Sequence, residues 1–287
     1  TFSQAQYMVL PRWAALAEVQ WSNPEKKNYE NFLTRLPQLI NIYEAEGYNY
    51  AKHVFDVKSE FVANSATGAV DVVMTTIDGA PIHYTLDGTE PTASPVCDSI
   101  LTIKESCTLK AVAVRPTGNS KMLTEKIAFS KSTSKPIKAN QPVNKQYEFG
   151  GVSTLVDGLK GNGNYKTGRW IAFYKNDMDV TIDLQQPTEI SSVAITTCVE
   201  KGDWVFDARS FSIEVSDDDK TFTKVASEAY PEMKETDRNG LYEHKLTFDP
   251  VKTRYVKVVA TSEHSIPAWH GGKGNPGFLF VDEITLN

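Results

Sequence analysis

The spacing of apolar residues along the chain changes near Phe55. Before that point apolar positions recur at three- and four-residue steps, which is typical of one face of a helix. The longest such stretch predicts a helix with Pro24 in its first turn, a kink at Pro37 and an end at Gly47. An earlier helix should be interrupted at Pro11. The apolar positions of the longer helix are Tyr29, Phe32, Leu33, Leu36, Leu39, Ile40 and Tyr43.

After Phe55 the apolar period is two, which indicates β-strands. A first set of strands, with Asp87-Gly88 as a turn, predicts a small antiparallel β-sandwich over residues 56–131. These strands are expected at residues 70–74, 81–85, 100–103 and 108–114.

A second set of strands predicts a larger β-sandwich over residues 147–287. Residues 132–146, between the two sets, are rich in Ser, Lys, Asn and Pro and are interpreted as a linker. The predicted fold class is therefore mainly β, with helices confined to residues 1–55. The strands of the second set are expected at residues 180–184, 192–195, 210–215, 221–225, 244–248, 254–259 and 279–284.

The composition narrows the class of protein. The 287 residues are 40% hydrophobic and 23% charged, which is typical of a globular chain with more than one domain. The formal net charge is −6 and no basic run occurs, so a nucleic-acid partner is disfavoured. No apolar stretch reaches the roughly 18 residues of a membrane span. Since the chain begins Thr1-Phe2, without an initiator Met or a signal peptide, we expect a fragment of a longer protein.

The three cysteines leave one pairing open. Cys97 and Cys107 lie ten residues apart (107 − 97) across a predicted strand pair, so they form either a disulfide or two half-buried thiols. Cys198 follows a predicted strand and is expected to be a buried thiol.

The helical part of the chain resembles a known enzyme family. The stretch Leu10-Pro11-Arg12-Trp13, continuing to Ser22, resembles the helix after the last barrel strand in glycoside hydrolase family 20, the β-N-acetylhexosaminidases. Residues 31–36 and 47–50 resemble that family's terminal helix. The resemblance implies that residues 1–55 are the terminal helices of a TIM-barrel catalytic domain.

Two further resemblances cover the predicted sandwiches. The stretch from Ile82 to Thr92, with residues 108–113, resembles the fibronectin-like C-terminal domain of chitobiases and hexosaminidases. The last part is similar to the discoidin-like, factor V/VIII C-type fold, which carbohydrate-binding module family 32 shares. It carries the motifs Leu155-Val156-Asp157-Gly158, Arg169-Trp170, Glu214-Val215-Ser216-Asp217-Asp218, Arg254-Tyr255-Val256-Lys257 and 278–284.

The catalytic residues of family 20 do not occur in this chain. Those enzymes use an Asp-Glu pair, within a His-x-Gly-Gly-acid-Glu string, to assist attack by the substrate's own acetamido group. His270-Gly271-Gly272-Lys273 lacks the carboxylates, and Asp282-Glu283 lies in a predicted strand, where neighbouring side chains point to opposite faces. Only one of the two should face any given site. We expect a catalytically silent part of an exo-β-N-acetylhexosaminidase.

The discoidin-like resemblance directs attention to loop aromatics as a sugar site. Indole rings stack on the apolar faces of sugars, and His and Arg bind hydroxyl groups. Trp204, Trp269 and His270 are predicted to line one loop end of the last sandwich, with Arg209 as a neighbour. The alternative is that the rings plug the end of the sandwich. Trp170 and Trp21 are expected in cores.

The same resemblance implies a structural calcium ion. We expect Asp157 and Glu283 to hold it, with carbonyl oxygens from Gly158 to Thr167. One alternative is a simple Asp-Gly turn with Glu283 bonded to backbone N–H groups. Another is that Lys160 replaces the ion.

Two classes of function follow from these patterns. In the first, the chain is the non-catalytic, glycan-binding tail of a hexosaminidase that removes terminal N-acetylglucosamine or N-acetylgalactosamine outside the cytoplasm. In the second, the sandwiches are structural spacers that brace the barrel or mediate protein contacts.

Overall fold

The computed structural model describes residues 1–98, 100–116 and 118–287, and its fold is mainly β with three α-helices among these residues. The chain divides into two compact units. The first comprises Thr1–Glu60, Val73–Ile100 and Thr108–Glu125. The second comprises Phe61–Val72, Leu101–Cys107 and Lys126–Asn287.

The helices are α1 (Phe2–Val9), α2 (Arg12–Trp21) and α3 (Tyr29–Ala45). The predicted break at Pro11 is confirmed. The start of the longer helix is corrected, because the side chain of Asn28 caps it by accepting the N–H of Asn31 at 2.9 Å.

The apolar stripe of α3 is confirmed on its buried face. Leu36, Ile40 and Tyr43 are buried and pack with Tyr50. In contrast, no residue of α1 or α2 is buried. Trp21, expected in a core, is 88% exposed at the end of α2.

The strands form three sheets. In the first unit β3, β5 and β6 lie in that order, and a second sheet has the order β1–β2–β4. The large sheet has the order β11–β10–β12–β9–β13–β8, with β7 paired to β9. In chain order the strands are β1 (Lys58–Asn64), β2 (Ala69–Thr75), β3 (Ile82–Thr85), β4 (Leu101–Ile103), β5 (Cys107–Ala113), β6 (Leu123–Ile127), β7 (Ile137–Ala139), β8 (Ile171–Tyr174), β9 (Met178–Val199), β10 (Ser210–Ser216), β11 (Thr223–Ala229), β12 (Gly240–Thr261) and β13 (Phe278–Leu286).

Strands β9 and β12 form one long antiparallel pair that runs from Met178 opposite Ala260 to Val199 opposite Gly240. The sequence predicted two short strands in place of each. Residues from both halves of β9 lie in one core, so the sheet folds over on itself into a sandwich. Register shifts between Thr247 and Val251 mark the bend.

The segment interpreted as a linker is instead part of the large sandwich. Its strand β7 pairs with β9. Ser132 and Ser134 are fully buried, and the Ser134 N–H donates to the Val156 carbonyl at 2.7 Å. The serine hydroxyls bond to backbone carbonyls, so a polar composition is compatible with burial.

Cys97, Cys107 and Cys198 are not joined in disulfides, which decides the alternatives for Cys97 and Cys107 in favour of half-buried thiols. Cys198 is buried beside Trp170 and Phe280, as expected for a core thiol, and this burial raises its pKa to about 11. Among the described residues, no helix has both the length and the apolar character needed to cross a membrane.

Candidate functional site

Three loops gather at one end of the larger sandwich, which we call the loop end. Residues 200–209 join β9 to β10, 230–239 join β11 to β12, and 262–277 join β12 to β13. They are bonded to one another. The backbone of Val205 pairs with Phe278, and the Lys201 N–H donates to the Asn239 side chain at 3.1 Å. The loop end carries every residue predicted to contact sugar.

Trp204 has a left-handed backbone conformation, with φ of 65°. Such a conformation is costly for a residue with a large side chain. Its indole lies against Gly272, where an added β-carbon would be 2.8 Å from Cε2. Its carbonyl accepts the N–H of Phe278 at 2.8 Å. The ring is therefore held on the inner side of the loop, and it is half-buried.

Trp269 and His270 stand perpendicular to each other, with ring centroids 5.4 Å apart. The indole N–H of Trp269 donates to the Met233 carbonyl at 2.9 Å. His270 Nε2 donates to the Lys201 carbonyl at 2.9 Å, and its Nδ1 accepts the Gly272 N–H at 3.0 Å. Both ring nitrogens of His270 thus have protein partners, which fixes its tautomer and orientation.

The two tryptophans pack against a cluster of buried apolar side chains, and both remain half-exposed. This packing is the arrangement that the plug alternative describes. The buried members of this cluster are Val199, Phe206, Met233 and Ile266.

Lys201 ties the loops together. Its ammonium donates to the carbonyl of Glu235 at 2.7 Å and also to that of Asp237. It lies 5.4 Å from the centroid of the Trp269 ring, within the range of a cation–π contact. This side chain connects all three loops, and no pattern in the sequence distinguishes it from other lysines.

Arg209 belongs to a group of polar side chains at the loop end, of which the sequence predicted Arg209 alone. Its guanidinium donates to Glu263, 5% exposed, at 2.8 Å. The next residue, His264, is 52% exposed and pairs with Asp177 at 2.9 Å. Asp177 also accepts the Ser262 N–H at 2.9 Å, which orients its carboxylate. In the sequence, Glu263 and His264 follow β12 after one serine, and this pair of adjacent polar residues is the signal that indicates the polar group.

Asp157 and Glu283 are both buried, at 5% and 3% exposure. Asp157 accepts the Leu159 N–H at 2.9 Å. Neither carboxylate oxygen of Glu283 makes a hydrogen bond of good geometry with a described residue, although the backbone N–H groups of Gly158 and Asp157 are close enough to lower its pKa. Burial, followed by the charges of Asp157 and Asp282, raises the pKa of Glu283 well above its usual value.

Asp282 and Glu283 lie at an irregularity of β13, so the simple alternation of side chains expected for a strand does not describe them. The register of β13 against β9 shifts between Val281 and Ile284, which places a bulge at these two residues. Asp282 accepts the Gly161 N–H at 2.9 Å, and Glu283 interacts with Asp157. Both carboxylates therefore approach residues 157–161.

This region fits a bound cation in one respect and not in another. A buried carboxylate that makes no well-formed hydrogen bond, beside a second carboxylate, is the kind of donor set that a hard cation satisfies. The Lys160 ammonium lies 3.8 Å from Glu243 on a side chain that is 54% exposed, and its charge also lowers the pKa of Asp282, so Lys160 stands near this region as the second alternative holds. However, no three His, Cys, Asp or Glu side chains in the described parts of the chain are grouped to hold a metal. Backbone carbonyls would have to complete the coordination.

Two family matches cover most of the β part of the chain. Residues 132–275 match the F5/8 type C domain. Residues 72–127 match the family described as Fn3 associated. No curated protein gives a match to the chain.

Several solved structures are similar at low identity. A Streptococcus pneumoniae fucose binding module is 19% identical, with a TM-score of 0.37, over 55% of this chain and 94% of that chain. CpGH89CBM32-5 from Clostridium perfringens, in complex with GalNAc-β-1,3-galactose, is 19% identical, with a TM-score of 0.34, over 53% of this chain and 93% of that chain. SpGH29 is 12% identical, with a TM-score of 0.34, over 55% of this chain and only 27% of that chain.

Proposed function

We propose that this chain, which belongs to the F5/8 type C domain family through residues 132–275, binds carbohydrate at the loop end of its larger sandwich. The observation that carries the proposal is that two oriented donors, the exposed His264 and the 32% exposed Arg209, lie in the same group of loops as the half-exposed tryptophans. Arg209 and His264 are each held by a carboxylate, from Glu263 and Asp177 respectively.

The charged pairs suit the recognition of sugar hydroxyl groups. Side chains whose orientation is fixed before binding lose little conformational entropy when a ligand arrives. The side chain of Arg209 is 32% exposed, and its bond to Glu263 uses one of the guanidinium donors, so other donors remain for a ligand. A ring hydroxyl of a sugar is an acceptor of the right kind.

The tryptophans supply the second element of such a site. The outer parts of Trp204 and Trp269 offer apolar surface, and stacking on an aromatic ring is a common way to bind the apolar face of a sugar. His270 contributes through position, because both of its nitrogens are already bonded to the protein.

The test is calorimetric titration of the chain with galactose, N-acetylgalactosamine and N-acetyllactosamine, after a glycan array. We expect weak monovalent binding to at least one sugar, and its loss in His264→Ala. The control is Lys252→Ala, because Lys252 is exposed in β12, opposite Glu189 of β9, and lies outside the three loops of the loop end. No binding to any glycan on the array would favour the structural-spacer function instead.

The parent protein in this proposal is an exo-β-N-acetylhexosaminidase acting outside the cytoplasm, of which this chain is the non-catalytic tail. The support is the resemblance of residues 10–22 and 31–50 to family 20, together with the Fn3-associated match directly after them. A parent gene without an upstream barrel would contradict this part of the proposal while leaving the glycan-binding part intact.

Calcium is part of the same proposal. Asp157 and Glu283 would hold the ion with carbonyls of the Gly158–Thr167 segment, and the ion would supply structural closure between that segment and β13. The unsatisfied oxygens of Glu283 support it. Calcium added to chelator-treated protein should raise its melting temperature.

A further inference from the structure

Tyr165 lies outside the three loops of the loop end, yet its side chain contacts the loop that carries Trp204. Its ring is buried in a cluster with Trp170 and Phe280, and the ring centroids of Tyr165 and Phe280 are 4.6 Å apart. The hydroxyl points out of this cluster and donates to the carboxylate of Asp203. Nothing in the function proposed above uses this hydrogen bond.

The bond joins a protonated phenol to a charged carboxylate. Burial, followed by the bond to Asp203, raises the pKa of Tyr165 to about 12. The bond from Tyr165, followed by that from Lys166, holds the pKa of Asp203 below its usual value. The Lys166 ammonium lies 3.1 Å from the same oxygen of Asp203, on a side chain that is 60% exposed. Because the Tyr165 ring is packed in a core, its hydroxyl is the more firmly placed of the two donors.

Trp204 lies between two residues that are each tied to Tyr165. On one side Asp203 accepts the Tyr165 hydroxyl, and on the other side Val205 is buried in the same cluster as the Tyr165 ring. The Trp204 N–H closes the turn between them by donating to the Lys201 carbonyl at 3.0 Å. A left-handed backbone such as that of Trp204 persists where its surroundings restrain it, and these ties supply the restraint.

We infer that Tyr165 is a positioning residue for the loop end, whose bond to Asp203 holds residues 201–204 in the conformation that presents the half-exposed indole of Trp204 to a ligand. This inference rests on the proposed carbohydrate binding at the loop end. Its physical basis is that a site whose competent conformation is populated only part of the time loses apparent affinity by that fraction. Tyr165 acts through Asp203 and needs no contact with the sugar.

The first test is Tyr165→Phe, which keeps the buried ring and removes only the hydroxyl. Calorimetric titration with galactose, N-acetylgalactosamine and N-acetyllactosamine should show binding weakened about three- to tenfold, the factor that corresponds to the net worth of one hydrogen bond. The matched control is Tyr147→Phe. The Tyr147 ring also packs on Phe280, at 4.9 Å between centroids, but its hydroxyl is bonded to Gln146 at 3.3 Å. This variant should bind as the unaltered chain does.

Amide hydrogen exchange in the free protein shows where the effect arises. Tyr165→Phe should speed exchange of the Trp204 N–H, because the turn that it closes opens more often. Exchange of the amides in β9 and β12 should not change, whereas a general loss of stability would speed it as well. Equal exchange at Trp204 with and without the hydroxyl would overturn the inference, whatever the titrations show.

A double-mutant cycle separates positioning from direct contact with sugar. Asp203→Ala should weaken binding as Tyr165→Phe does, and Asp203→Asn should recover most of the loss, because its side chain keeps an oxygen that accepts the hydroxyl. Tyr165→Phe combined with Asp203→Ala should bind no more weakly than either single variant. Additive losses would assign Asp203 to the sugar contact itself and overturn the inference. Unchanged binding in Tyr165→Phe would overturn this inference alone, whereas no binding by the unaltered chain would contradict the proposed function on which it rests.

Discussion

Asp282 and Glu283 are consecutive residues of β13, yet their carboxylates approach the same short segment, residues 157–161. In a regular strand they would lie on opposite faces of the sheet. The bulge between Val281 and Ile284 removes that constraint. Asp282 accepts the Gly161 N–H at 2.9 Å, whereas Glu283 makes no hydrogen bond of good geometry and is only approached by the backbone N–H groups of Gly158 and Asp157.

This asymmetry predicts opposite effects of Glu283→Gln with and without calcium. In chelated protein the substitution removes a buried charge next to Asp157, so the melting temperature should rise. With calcium at about 100 times its dissociation constant, the unaltered protein should gain roughly 2.7 kcal/mol and the variant nothing. Differential scanning fluorimetry with EDTA and with calcium measures both effects. Glu232→Gln, at an exposed position, is the control, and a melting temperature of the unaltered chain that ignores calcium would contradict the metal site.

The side chain of Trp269 packs against a buried cluster and also donates a hydrogen bond. Two substitutions separate the contributions of these interactions to stability. Trp269→Phe should keep most of the ring but lose the bond to the Met233 carbonyl, which costs about 1 kcal/mol in the free energy of unfolding. Trp269→Ala should lose the packing as well, about 2–4 kcal/mol in total. Urea denaturation gives both values. Trp21→Ala, at 88% exposure, should change the free energy of unfolding by less than about 0.5 kcal/mol.

Substitutions of His264 and Arg209 should distinguish an effect on glycan binding from an effect on stability. His264→Ala removes an exposed ring and should weaken glycan binding without a measurable change in melting temperature. Arg209→Met should weaken binding and also lower the melting temperature, because Glu263 is left buried without its partner. Calorimetry and thermal unfolding of the same samples check this. Equal melting temperatures for the two variants would show that the Arg209–Glu263 pair adds nothing to stability.

Acid should remove the contribution of the Asp78–Arg115 pair. The Arg115 guanidinium bonded to Asp78 holds the pKa of that carboxyl below its usual value. A lowered folded-state pKa means that the pair stabilises the first unit above the unfolded-state value, about 3.9, and that this stability is lost as the pH falls towards the lowered pKa. Asp78→Asn should therefore lower the melting temperature at pH 6 and have a smaller effect at pH 3. A difference that does not shrink on acidification would argue against the pair as its source.

Sequence periodicity predicted most of the fold because each strand buries one or both faces in a core. It divided β9 and β12 because local apolar alternation does not distinguish a strand end from a bend within a strand. The misread linker has a similar cause. Ser132 and Ser134 are buried through bonds to backbone carbonyls, and composition alone carries no information about such partners.

The candidate site was only partly predictable for the same reason. Tryptophans in loops are conspicuous, so Trp204 and Trp269 stood out. His264 and Asp177 are 87 residues apart in the chain. Their pairing depends on the long antiparallel β9–β12 pair, which brings the end of β12 next to the start of β9. The bulge that turns Asp282 and Glu283 towards one segment leaves no mark in the alternation of the sequence.

Because β7 is a strand of the large sheet, it limits where a truncated form of the larger sandwich can begin. A piece beginning at Tyr147 would lack the strand that pairs with residues 180–182 of β9, and also the Pro136 carbonyl that accepts the Asp183 N–H. Such a piece would expose a row of unpaired backbone groups, which invites association between copies. A transferable unit for fusion proteins or domain exchange therefore has to begin before Ser130, whose hydroxyl pairs with that of Ser132.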